Sequence, residues 1–142
     1  MKTRQGLFLG LLVLGSLIMT GCQMGESQSR QRTVEQATNP IRISASDLLA
    51  AYSTPASGDL RYKDKVLSVT GRVAYLGDAS SGSYTVYLHR DVIGGGVACY
   101  FDAETQRTAV ARVRVGDTIT VRGYCTGMLF GSVVLRACVL ER

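Results

Sequence analysis

The chain has 142 residues, enough for one small domain, with 16 Lys and Arg against 11 Asp and Glu. Sixteen glycines, two prolines, no tryptophan and a scarcity of long helical patterns point to a small β-rich domain. The weak positive balance permits a polyanionic partner without arguing for one.

Lys2 and Arg4 precede a run of thirteen almost wholly apolar residues, Leu7–Met19. A membrane-spanning helix needs roughly 20, so the run has the length of the apolar centre of a signal peptide. Met19-Thr20-Gly21-Cys22 follows and resembles the bacterial lipobox, with Met19 where Leu is usual. Residues 1–21 are therefore expected to be removed, leaving Cys22 as a lipid-bearing N-terminus. Lys2 and Arg4 leave with that segment, so the mature chain holds 14 basic residues against 11 acidic, a formal +3. The expected location is the cell envelope. Gln23 after the cysteine, where Asp would retain a lipoprotein at the inner membrane, implies by the enterobacterial sorting rule an outer membrane facing the periplasm.

Residues 22–40 are polar and without period, and read as a flexible tether; the domain is expected over 41–142. Ser44 or Ser46 can cap a short helix with Asp47 in its first turn, and Leu48, Leu49 and Tyr52 give it an apolar side. Thr54-Pro55 through Gly58 is expected to end it. Five β-like runs follow. Val66–Leu76 sets Leu67, Val69, Gly71, Val73 and Tyr75 on one face, with Gly71 marking a bend or bulge. Asp78–Gly82 is a turn before Tyr84–His89. Gly94-Gly95-Gly96 leads into Val97–Asp102. Glu104–Val113 reads as a short helix. Val115-Gly116-Asp117 introduces Thr118–Cys125, and Gly127–Gly131 turns into Val133–Leu140.

Three strands, a helical insert and a hairpin is the order of an all-β, five-stranded OB-fold Greek-key barrel, here preceded by a short helix. The residues that carry a closer likeness are Tyr62-Lys63-Asp64-Lys65-Val66, Val69-Thr70-Gly71-Arg72-Val73 and Val97-Ala98-Cys99-Tyr100-Phe101. They continue with Val115–Cys125, reading VGDTITVRGYC, and Leu135-Arg136-Ala137-Cys138. Over residues 42–140 the chain resembles the tRNA_anti-like family of bacterial OB-fold lipoproteins and secreted proteins. The resemblance implies a fold; it brings no activity and no catalytic residue with it.

Setting Cys22 aside, Cys99, Cys125 and Cys138 remain. Cys125 and Cys138 fall on the two strands of one hairpin, and a disulfide between them is expected, adding about 3 kcal/mol by chain entropy. Strand alternation turns Cys125 inward but Cys138 outward with Arg136, a conflict that a bulge near Ala137 resolves. Cys99 paired with either of the others is the alternative. Three cysteines on separate strands and a single His lack metal-ligand spacing, so no metal and no cofactor is expected.

The one histidine, His89, stands at a strand end beside Arg90 and Asp91, and no catalytic constellation is visible, so the chain is not read as an enzyme. Binding remains. With Val86, Leu88, Val97, Cys99 and Phe101 facing inward, Tyr87, His89 and Tyr100 share an outer surface, with Arg72 and Arg122 on neighbouring strands. OB domains bind on this side of the barrel, and aromatics with Arg suit planar ligands. The sequence thus implies a lipid-anchored envelope binding module for a glycan, peptide or protein partner. A structural or assembly lipoprotein without a small ligand is the alternative, and single-stranded nucleic acid a third, disfavoured by compartment.

Overall fold

The computed structural model describes residues 22–77, 83–90 and 95–141. The signal segment over 1–21, the turn at 78–82 and Gly94 lie outside the described residues. The elements are α1 (Cys22–Gln36), β1 (Ile41–Ser44), α2 (Ala45–Ala51), α3 (Pro55–Tyr62), β2 (Val66–Leu76), β3 (Tyr84–Leu88) and β4 (Val97–Phe101). A 3₁₀ turn (Glu104–Gln106), α4 (Arg107–Val110), β5 (Thr118–Leu129) and β6 (Ser132–Glu141) complete the chain.

Five strands close on themselves. β2, β3 and β4 form an antiparallel meander, β4 runs parallel to β6, β6 pairs antiparallel with β5, and β5 returns to β2. This is the OB-fold barrel. β2 serves both sides: Val66–Arg72 faces Tyr124–Thr118 of β5, while Val73–Leu76 faces Leu88–Val86 of β3. Gly71 stands at the crossing, where a Cβ would come 2.7 Å from that of Ala45 and 3.2 Å from that of Leu88. The missing side chain lets α2 close on the strand. Leu48, Leu67, Val69, Val86, Leu88, Val97, Val121 and Leu135 fill the interior, and Tyr52 is buried with them.

Several elements depart from the sequence reading. Residues 22–36, expected to be part of a flexible tether, form α1. Glu26–Arg30 and Gln31–Glu35 pairs, at 2.8 and 2.9 Å, support it along the helix, and Val34 is buried. The helix carries no apolar stripe, so no period announces it. Ser44 does cap α2, accepting from the Asp47 amide at 3.1 Å. Thr54-Pro55 opens a second helix instead of only ending the first, because proline at the first helical position is preset for it. β1, a four-residue strand parallel to β2, was not foreseen.

The register of β2 slips by one residue between Val73 and Tyr75, so Ala74 is a bulge and Tyr75 turns outward, 47% exposed, away from the core face expected for it. A second bulge lies in β6 at Ala137, whose φ is +52°. It turns Cys138 inward, as the conflict of alternation required. The expected Cys125–Cys138 disulfide is nevertheless absent. Leu135, not Cys138, stands opposite Cys125. The Cys125 thiol lies 3.6 Å from the Tyr52 hydroxyl. Cys138 sits over Gly123 and donates to the Leu135 carbonyl at 3.4 Å. Cys99, Cys125 and Cys138 are free and buried.

Candidate functional site

The bulge at Ala74 sets Tyr75 directly across from Tyr87, and the β3–β4 ladder sets Tyr100 diagonal to Tyr87 on the same outer face. The rings of Tyr75 and Tyr87 lie 5.7 Å apart at 56°. Burial first, then the neighbouring Tyr100 phenol, push the Tyr87 phenol above its ordinary value. Tyr87 therefore stays a neutral donor at physiological pH.

Two guanidiniums lie over these rings. Arg90 stands 5.5 Å from the Tyr75 centroid, and Arg136 stands 4.7 Å from that of Tyr100. Arg136 is also held by Asp102, 3.4 Å away, whose other oxygen accepts from the Ala137 amide at 3.1 Å. Ala98 and Val134 floor the space between, and the tip of the β5–β6 hairpin, Leu129 and Phe130, walls it. The result is a cleft of about 430 Å³. Its aromatic faces, phenol hydroxyls and the Arg90 guanidinium can stack on a flat ligand and hold polar or anionic groups at its edges.

Of the residues the sequence nominated, Tyr87 and Tyr100 meet in this cleft. His89 and Arg72 do not: they line a separate hollow of about 310 Å³ with Val115 and Gly116. β3 ends at Leu88, and His89 takes a left-handed φ of +47° while its amide donates to the Arg72 carbonyl at 2.9 Å. Arg90 borders both hollows. Arg122 lines neither. Its Nε donates to Glu141 at 2.9 Å and its Nη1 to the Ala37 carbonyl at 3.3 Å, so it ties β5 to β6 and to the chain leaving α1. Tyr75, Arg90, Arg136, Leu129 and Phe130 were missed as site residues. Alternation along Val134-Leu135-Arg136 places Arg136 outward, and an apolar Phe beside Gly131 in a turn was a visible anomaly. The Ala74 bulge that exposes Tyr75 had no local signature.

Among the described residues no group of His, Cys, Asp or Glu is placed to hold a metal ion. Cys22 begins α1.

A closed five-stranded barrel with an aromatic, arginine-bearing cleft on its β3–β4 side defines an OB-fold binding module. The family model named tRNA_anti-like matches residues 1–139, and the chain belongs to that family. No curated protein matches it. Among solved structures it is similar to the OBody AM3L09 bound to hen egg-white lysozyme, with 17% identity over 58% of this chain and 86% of that one and a TM-score of 0.43.

Proposed function

We propose that the chain is a lipid-anchored cell-envelope module that recognises a ligand in the Tyr75–Tyr87–Tyr100 cleft and acts by binding, not catalysis. The observation that carries the reading is the convergence of three tyrosines and the Arg90 guanidinium on the side of the barrel where OB domains bind, with Arg136 stacked on Tyr100 beside them. Stacking on sugar rings or peptide planes suits such a surface. The thiols are poor nucleophiles by the same physics that buries them: desolvation pushes those of Cys125 and Cys138 up. Placement in the envelope follows from the lipobox-like run ending at Cys22 and disfavours nucleic acid as the ligand.

Two measurements test it. Tyr87→Ala/Tyr100→Ala should leave the melting temperature near that of the parent, because both rings stand on the outer face. It should weaken binding to whichever of peptidoglycan fragments, synthetic peptides or oligonucleotides the parent binds by tenfold or more, since a stacked aromatic contributes about 1–3 kcal/mol. A folded double variant that binds all of them as the parent does removes the cleft from the account. Metabolic labelling with a fatty-acid analogue should mark the parent and not Cys22→Ala; equal labelling refutes the anchor.

A further inference from the structure

The hairpin joining β5 to β6 ends in two neighbouring apolar side chains, Leu129 at 58% exposure and Phe130 at 95%. Single exposed apolar residues are ordinary. Phe130 is not, because its φ is +48° and that of Gly131 is +79°. A two-residue turn with both positions left-handed favours Asn-Gly, and a bulky aromatic sits there against the preference of the backbone. Phe130 borders the cleft yet keeps 95% of its surface exposed, so a small ligand held between the tyrosines would leave most of the ring in water.

The direction of α1 gives this tip its setting. Near the end of the helix, Glu35 lies by Arg122 and Val139–Glu141. One turn and more earlier, Arg30 stands over the Tyr124 ring at 5.5 Å, and Glu26 and Ser27 lie by Arg136. The helix thus runs alongside β6 in the same sense, so its first residue points toward Ser132 and the hairpin tip. From Glu26 back to Cys22 is roughly 6 Å of helix, and from Arg136 back to Ser132 roughly 13 Å of strand. The start of α1 and the Leu129–Phe130 tip therefore lie at one end of the molecule, with the tip reaching further.

We infer that the Leu129–Phe130 tip is a second membrane contact, inserting beside the lipid on Cys22, with Arg90 set back at the level of anionic head groups. The inference takes its setting from the lipid-anchor reading above. Aromatic and leucine side chains enter the interfacial region, and an arginine behind them gains from an anionic leaflet. The acyl chains hold the protein at the bilayer. The tip fixes which way the barrel faces, so that the tyrosine cleft opens along the membrane surface.

The absence of tryptophan from the chain gives a clean probe. The mature protein carrying Phe130→Trp is placed in phosphatidylglycerol/phosphatidylethanolamine vesicles containing acyl-chain-brominated lipid. A second protein carries Thr105→Trp, exposed in the parent and next to Gln106, whose side chain accepts from the Leu140 amide at the far end of β6. Emission from Trp at 130 should shift to the blue and be quenched by the brominated chains, while emission from 105 stays at the solvent value. The quenching should be greater in anionic than in phosphatidylcholine vesicles, and Arg90→Ser should remove that difference. Solvent-like, unquenched emission from both positions, or equal quenching of both, overturns the inference. Mass spectrometry of the Cys22 peptide reports the anchor separately, so a lipidated chain with an unquenched tip refutes the tip alone.

Discussion

Substituting Gly58 by Ala tests how α3 docks against the barrel. Gly58 lies inside α3, where exchange of Gly for Ala ordinarily stabilises a helix by about 1 kcal/mol. Here the buried ring of Tyr52 lies flat against it. A Cβ at position 58 would come within 2.5 Å of two ring carbons and 2.8 Å of a third. Ring atoms on a buried tyrosine cannot swing aside, so α3 must lift or Tyr52 must leave its rotamer, an overpacking cost of about 1–3 kcal/mol. The net effect should be a loss of up to about 2 kcal/mol, seen as a fall in melting temperature of roughly 4–8 °C per kcal/mol for a domain of this size. The decisive control is the same substitution in a Tyr52→Val background. With no ring over position 58, Gly58→Ala should change sign and stabilise. Urea denaturation of the four proteins completes the cycle. A stabilising Gly58→Ala in the parent would refute the packing argument.

Two further expectations follow from the polar groups. Glu141 is opposed by its own burial, but hydrogen bonds from Arg122 and Ser68, with the charges of Arg122 and Arg42, outweigh it and hold the carboxyl below its ordinary value of 4.5. Its stabilisation is present above that value and lost as pH falls through the lowered one. Glu141→Gln should therefore cost about 1 kcal/mol at neutral pH, after allowing for partial exposure, and flatten the acid limb of a melting-temperature profile; an unchanged acid limb refutes this. Cys99, Cys125 and Cys138 should resist iodoacetamide in the native protein and react on denaturation, read by peptide mass mapping. A Cys125–Cys138 linked peptide would show that the thiols are not disposed as described.

The barrel was legible because its signals are periodic: alternation in Tyr84–Leu88 and Val97–Phe101, a glycine within a long first strand, and a turn before β5. What escaped were features set by neighbours. Two of the bulges show the difference. The one at Ala137 left a trace, since Cys138 and Arg136 could not both follow simple alternation. The one at Ala74 left none, and Tyr75 was assigned to the wrong face. Half of the site depended on that residue and on the hairpin tip. Helix α1 was missed because it is held by one ion pair, a Gln31–Glu35 hydrogen bond and a buried Val34. Arg122 was misassigned because a basic residue on a strand near tyrosines reads the same whether it faces a ligand or a carboxylate such as Glu141.

The divided pairing of β2 also governs the order in which the domain can be made. The hydroxyls of Thr70 and Thr120 meet at 2.8 Å across the β2–β5 ladder, yet lie fifty residues apart in sequence. Closing a loop of that length costs roughly 3 kcal/mol in chain entropy before the ladder returns anything. A chain that has emerged only as far as α4 can form the β2–β3–β4 meander and the β1–β2 pairing but cannot close the barrel. Its β2 then shows the whole Val66–Arg72 edge to solvent, and β4 shows the edge that β6 will later cover. Open edges of that kind pair with other chains. The last two strands therefore act as a lock, and truncation before Thr118 should yield aggregates instead of a smaller folded domain.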